Sequence, residues 1–123
     1  MCGIVGFNWH DKELLGKMMA TVQHRGPDES GYYVDEQVSL GHQRLKVIDL
    51  LTGKQPVRNE DGSLQIVFNG EIYNYQELKE SLLQKGHHFY TNSDTEVLFT
   101  PTKSMMSTVL SILEGCLLLP FGI

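Results

Sequence analysis

The sequence predicts an α+β domain, and three observations carry that prediction. Short apolar runs, often β-branched, alternate with turns marked by Gly and Pro. Two longer stretches, 11–23 and 74–86, set their apolar residues at helical spacing. The 123 residues are enough for one domain with a modest core.

The elements follow in order. Residues 2–7 read as a short buried strand. Leu14, Leu15, Met18, Met19 and Val22 recur on one helical face, so 11–23 reads as a helix. "HRGPDESG" (24–31) is a turn, punctuated by Gly26, Pro27 and Gly31. "YYV" (32–34) and "VSLGHQRLKVIDL" (38–50) read as strands. "LTGKQPVRNEDGS" (51–63) is a loop, and "LQIVF" (64–68) is another strand. In "NYQELKESLLQKG" (74–86) Asn74 is a suitable N-cap, Tyr75, Leu78 and Leu82 share a face, and Gly86 ends the helix. "HHFY" (87–90) reads as a strand, and the S-x-x-E wording of "SDTE" (93–96) predicts a helix start.

Composition excludes several function classes. The net charge is −5 and there is no polybasic run, so no nucleic-acid partner is expected. No segment has the length of a membrane span or the layout of a signal peptide, so no membrane partner is expected either. Two cysteines, Cys2 and Cys116, are too few for a disulfide framework, which points to the cytoplasm. The five histidines do not fall at metal-ligand spacing, and no metal site is expected.

Cys2 admits two readings. It is a small hydrophobe at the head of a buried strand, or it becomes the first residue once Met1 is removed. In the second case thiol and α-amine share one residue, and the amine, with an ordinary pKa of about 7.7–8.0, can serve as base. "FNGEIYNY" (68–75) is also ambiguous. Asn-Gly is a strong hairpin signal, but a sharp turn there would also expose the Asn69 amide and the Gly70 N–H as two convergent oxyanion donors. Arg44 inside "GHQRL" is either an edge residue or a fork for a carboxylate. Asp94 is either a helix-start residue or, with Glu71, a partner for an ammonium. One Arg and two acids would then form a clamp for an α-amino acid.

Taken together, "MCGIVGF", "HRGPDESG", "GHQRLKVIDL", "QPVRNEDGS", "FNGEIYNY" and "SDTEV", in this order, resemble the class II glutamine amidotransferase domain. The resemblance is greatest to that of glutamine-hydrolysing asparagine synthetases and runs from Met1 to about Leu98. It implies an N-terminal-nucleophile hydrolase fold, with stacked antiparallel β-sheets flanked by helices and incomplete at the C-terminus. It implies Cys2 as nucleophile and Asn69 and Gly70 as the oxyanion hole. Arg44, with Leu45, Lys46, Val47 and Ile48 lining the same pocket, would bind the glutamine α-carboxylate. Glu71 and Asp94 would bind the α-ammonium, and Arg25 with the Gly-Pro-Asp turn would support the nucleophile. The implied partners are L-glutamine and a C-terminal synthetase domain using ATP and Mg2+ in a homo-oligomeric full-length protein, with no cofactor in this segment. Another class II amidotransferase with a different ammonia acceptor, or an inactive truncated fragment, remains the alternative.

Residues 1–98 thus read as a partial amidotransferase domain and 99–123 as an atypical tail. From Phe99 onward the only charges are Lys103 and Glu114. Relatives continue with a strand like "GMFAFAIWD". A suitable choice of codons for "EGCLLLPFGI", read in a shifted frame, encodes that strand, so a frameshift product is the expectation. Such a tail should be loosely packed or helical, leaving sheet edges uncovered.

Overall fold

The computed structural model describes residues 2–46, 50–98 and 115–118. Its first layer is a three-stranded antiparallel sheet: β1 (Gly3–Phe7), β2 (Glu29–Val34) and β3 (Ser39–Arg44), in the order β1-β3-β2. The register sets Ile4 and Gly31 on either side of His42, and Glu29 beside Arg44. Between β1 and β2 lie helix α1 (Lys12–Thr21) and a 3-10 turn, Gln23–Arg25. The Asp11 side chain caps α1 by accepting from Leu14 N at 2.8 Å.

Strand pleating divides this sheet into two faces. One packs on α1 through buried Leu15 and Met19, and there Gln43 Nε2 donates to the Met19 carbonyl at 3.3 Å. The other face carries Leu40, His42 and Arg44 and meets the segment that follows. At Gly31 the contact is so close that a Cβ would lie 1.8 Å from the Gln55 carbonyl oxygen.

The second half contains β4 (Val57–Arg58) paired with β5 (Gln65–Ile66), then β6 (Asn69–Ile72), helix α2 (Tyr75–Gln84) and a 3-10 turn, Thr95–Leu98. Its core is apolar: Val57, Leu64, Ile66, Phe68, Ile72, Leu78, Leu82, Val97 and Leu98, with Tyr75 and Phe89 against it. The α2 face predicted from Tyr75, Leu78 and Leu82 is the one that packs there. Gly86 (φ +90°) ends the helix turn, where Gly86 N donates to Leu83 O.

Several expectations are corrected. The strand predicted over 38–50 ends at Arg44, because Asp28 ties the chain there: Asp28 N donates to Arg44 O and Lys46 N donates to Asp28 Oδ2. The strand predicted at 64–68 keeps only Gln65–Ile66, since Phe68 N is taken by a side chain, Gln55 Oε1 at 2.6 Å. Residues 87–90 form no strand. They are held by side chains, with the Tyr90 hydroxyl bridging Arg58 N (2.7 Å) and Arg58 O (2.9 Å). Asn69-Gly70 is not a turn but the start of β6. Its partner is β7 (Gly115–Leu118), paired antiparallel with Asn69 opposite Leu118. The expected loose or helical tail therefore contains a strand over these four residues. Pairing uses backbone groups, and "GCLL" has no proline to interrupt a ladder.

Candidate active site

Cys2 stands at the entrance to β1, partly buried. Its Sγ accepts from Leu45 N at 3.3 Å and lies 3.7 Å from Leu45 O. Continuing the β1–β3 register by one residue sets Cys2 opposite Arg44, and pleating puts both on the face that bears His42. Arg25 Nε donates to the Cys2 carbonyl at 3.3 Å, so the arginine predicted to support the site holds the backbone of Cys2.

The "GPD" turn is shaped by close approach. A Cβ on Gly26 would lie 2.0 Å from the Gln43 carbonyl oxygen, so only glycine lets the turn seat against β3. Asp28 and Glu29 follow, one tied to the end of β3 and the other to its arginine. Arg44 is buried, and Arg44 Nη1 donates to Glu29 Oε2 at 2.9 Å. Lys46 Nζ lies 3.9 Å from the other Glu29 oxygen. Glu29 thus sits between two cations beside the predicted carboxylate pocket. Val47 and Ile48, also assigned to that pocket, lie outside the described residues, as does Met1.

The predicted ammonium group is assembled from the other half. Asp94 is buried and its Oδ2 accepts from Ile72 N at 3.0 Å, which fixes it beside β6. Burial pushes its carboxyl pKa up, and the charge of nearby exposed Glu71 adds to the rise. The loop before Asp94 hangs on Glu96, a buried residue whose carboxyl accepts from Tyr90 N (2.8 Å), Thr91 N (2.7 Å) and the Thr91 hydroxyl. The S-x-x-E wording predicts a capping box, but among the described residues it leads into a 3-10 turn, Thr95–Leu98; Ser93 N donates to Thr91 Oγ1, and the glutamate reaches back to Tyr90 and Thr91.

His42 joins the two halves. It is 1 % exposed, and its Nε2 lies 3.1 Å from Phe68 O, the carbonyl immediately before Asn69. A carbonyl only accepts, so Nε2 carries the proton. Burial depresses the ring pKa to about 4, which leaves it neutral near pH 7. The structure thus brings Cys2, Arg25, Arg44, Leu45 and Lys46 together at the end of one sheet, ties Asn69 and Gly70 to that sheet through His42, and sets Glu71 and Asp94 at the other end of β6. The sequence reasoning missed Glu29, His42 and Gln55, and it gave Glu96 only a capping role. Each lies within a quoted motif, but only tertiary packing shows what its side chain meets.

The family described as "Glutamine amidotransferase domain" matches residues 1–120. The chain belongs to this family of enzyme domains. It is 46 % identical over 123 aligned residues to asparagine synthetase [glutamine-hydrolyzing] 1 of Bacillus subtilis, covering 94 % of this chain and 20 % of that protein. Asparagine synthetase [glutamine-hydrolyzing] of Zea mays is 43 % identical over 96 residues, 78 % of this chain and 16 % of the relative. The corresponding Arabidopsis thaliana protein 1 is 42 % identical over 104 residues, 80 % and 18 % respectively. The chain therefore spans about a fifth of the length of the curated relatives it matches. Among the described residues, no helix is long and apolar enough to cross a membrane.

Proposed function

We propose that this chain carries the glutaminase half of an asparagine-synthetase-like enzyme, built on an N-terminal-nucleophile fold. The observation that carries the reading is the seating of Cys2: its thiol faces the end of β3, where Arg44 is opposite and Leu45 N–H is 3.3 Å away. With Met1 removed, the α-amine of Cys2 takes the thiol proton as sulfur attacks the side-chain amide carbon of glutamine. A C–S bond forms, and the Asn69 amide and Gly70 N–H stabilise the oxyanion. The same amine returns the proton to the nitrogen as the C–N bond breaks and ammonia leaves. Water then cleaves the γ-glutamyl thioester to glutamate. Arg44 and Lys46 offer positive charge to the α-carboxylate, while Asp94 and Glu71 receive the α-ammonium.

In a full-length protein the ammonia would amidate aspartate in an ATP- and Mg2+-dependent synthetase domain, and the assembly would be a cytoplasmic homo-oligomer. Residues 1–98 would be the amidotransferase part and 99–123 the product of a shifted reading frame. The encoding nucleotide sequence tests that last point. A frame in which no single shift restores family-like sequence removes it.

The function is tested by intact mass, which reports processing of Met1, together with ammonia and glutamate release from L-glutamine. Turnover is expected only from processed chains, and Cys2→Ala should abolish it. A processed Cys2→Ala protein with undiminished turnover would overturn the mechanism.

A further inference from the structure

Phe68 is gripped on both sides of its backbone by buried side chains from elsewhere in the chain. His42 Nε2 meets its carbonyl at 3.1 Å, and Gln55 Oε1 accepts from its N–H at 2.6 Å. Gln55 in turn donates through Nε2 to Thr95 Oγ1 at 3.3 Å, next to Asp94. The Gln55 backbone lies against Gly31, the cross-strand neighbour of His42. The result is one buried junction of β2, β3, the residue before β6 and the turn that bears Asp94.

This junction is not required by apolar packing. Phe68 could be buried by its ring alone, and His42 keeps Nδ1 buried with no hydrogen-bond partner among the described residues. An orphaned buried nitrogen is costly, and a leucine in its place would carry no such penalty. The Phe68 carbonyl belongs to the peptide group whose N–H is that of Asn69. Holding that carbonyl sets the plane of the peptide and hence the direction in which β6 leaves. A donor pair for an oxyanion must be fixed before the charge develops, because its value comes from not having to reorganise.

We infer that His42 is a positioning residue: by holding the Phe68 carbonyl, with Gln55 on the opposite side, it sets the Asn69 and Gly70 donors against Cys2 on the neighbouring sheet. The inference rests on the glutaminase reading above and deepens it. His42 itself touches neither the substrate nor the thiol. It acts through the peptide group it anchors.

The test compares His42→Leu and His42→Gln with the wild-type chain. The glutamine side chain carries an amide N–H at comparable reach, whereas leucine fills the space without a donor. Expected for His42→Leu is a loss of kcat of about 10- to 100-fold, smaller than the roughly 10²–10³-fold of deleting an oxyanion donor. KM should stay within about twofold, because the clamp for the α-groups is held separately by β3 and Asp94. His42→Gln should recover most of the loss. Alkylation of Cys2 by iodoacetamide forms no oxyanion, so its rate should be unchanged in both variants. Amide exchange at residues 68–72 should quicken in His42→Leu and return towards the wild-type rate in His42→Gln. Wild-type kcat in His42→Leu overturns the inference, as does unchanged exchange at 68–72. Equal losses in both variants also overturn it, since they would follow from packing alone. Absence of glutamine turnover in the processed wild-type chain overturns the glutaminase reading itself, and the anchoring is then decided by the exchange measurement.

Discussion

Strand β3 and the apolar cluster of the second half bury opposite kinds of side chain. In β3 every residue is buried, yet the sequence is Ser-Leu-Gly-His-Gln-Arg and only Leu40 is bulky and apolar. The second half instead buries a continuous apolar cluster from Val57 to Leu98 around strands of two to four residues. The first is specified by partners: Gln43 to Met19 O, His42 to Phe68 O, Arg44 to Glu29. The second is specified by area removed from water. Cys2 and Arg44 lie with the buried polar strand, whereas Asn69, Gly70, Glu71 and Asp94 belong to the second half. A rigid strand with paired polar side chains can aim the first two, and an apolar cluster supplies the stability that such a strand does not.

The largest expected effect on stability lies in the apolar half. Phe68 is 2 % exposed, and Phe68→Ala should destabilise the chain by about 3–5 kcal/mol, read from denaturant midpoints. A loss below about 1 kcal/mol would mean that the apolar cluster does not dominate and would break the comparison.

Strand β3 should be acid-sensitive through His42. The folded-state pKa of His42 is about 4, below the ordinary 6.5, so the unfolded chain binds the proton more readily. Its contribution is therefore complete above about pH 6.5 and is lost as the pH falls towards 4, to an extent on the order of 3 kcal/mol. Asp94 acts with the opposite sign. Its raised pKa favours the protonated folded state, so it weakens the fold as pH rises from the ordinary carboxylate value through the raised folded one. The difference between wild-type and His42→Gln stability curves isolates the histidine, and a flat difference from pH 7 to about pH 4 would contradict its buried neutral state.

Arg44→Lys sharpens the comparison further, because an ammonium cannot reproduce the fork that meets Glu29 and faces the predicted carboxylate pocket. Glutamine binding should weaken by about 1.5–3 kcal/mol. An unchanged KM would remove Arg44 from the site. Asp11→Ala is the mildest change, at about 1 kcal/mol, since it removes one helix cap and leaves both buried regions intact. Thermal unfolding of the variant checks it.

Legibility from the sequence divides along the same line. Helices α1 and α2 and strand β1 follow from spacing and turn residues that lie within a few positions of one another, whereas β2 begins at Glu29, inside the predicted turn, and β3 stops at Arg44. Arg25 beside Cys2 was legible through motif order. The rest depended on distant partners. Asn69-Gly70 carries a local turn signal, but residues 115–118 offer it a strand to pair with, and no feature near position 69 announces them. Residues 87–90 have the composition of a strand, yet the Tyr90 hydroxyl satisfies the Arg58 backbone from the side and no ladder forms. Glu29, a turn residue in sequence, becomes the counter-ion of Arg44 only through the β2–β3 register.

The β6–β7 pairing also has a consequence in time. Asn69 finds its partner, Leu118, about 50 residues later in the chain, and Gly3 waits about 40 residues for Gln43. Contacts of such long sequence separation form slowly, because the loop between them must close before any ladder bond rewards it. Helices α1 and α2 can form while the chain is still emerging, but the strand bearing Asn69 and Gly70 stays unmatched until residues 115–118 have been synthesised. The last part of this domain to take shape is thus the part assigned to the oxyanion, so turnover should appear later in refolding than helical signal does.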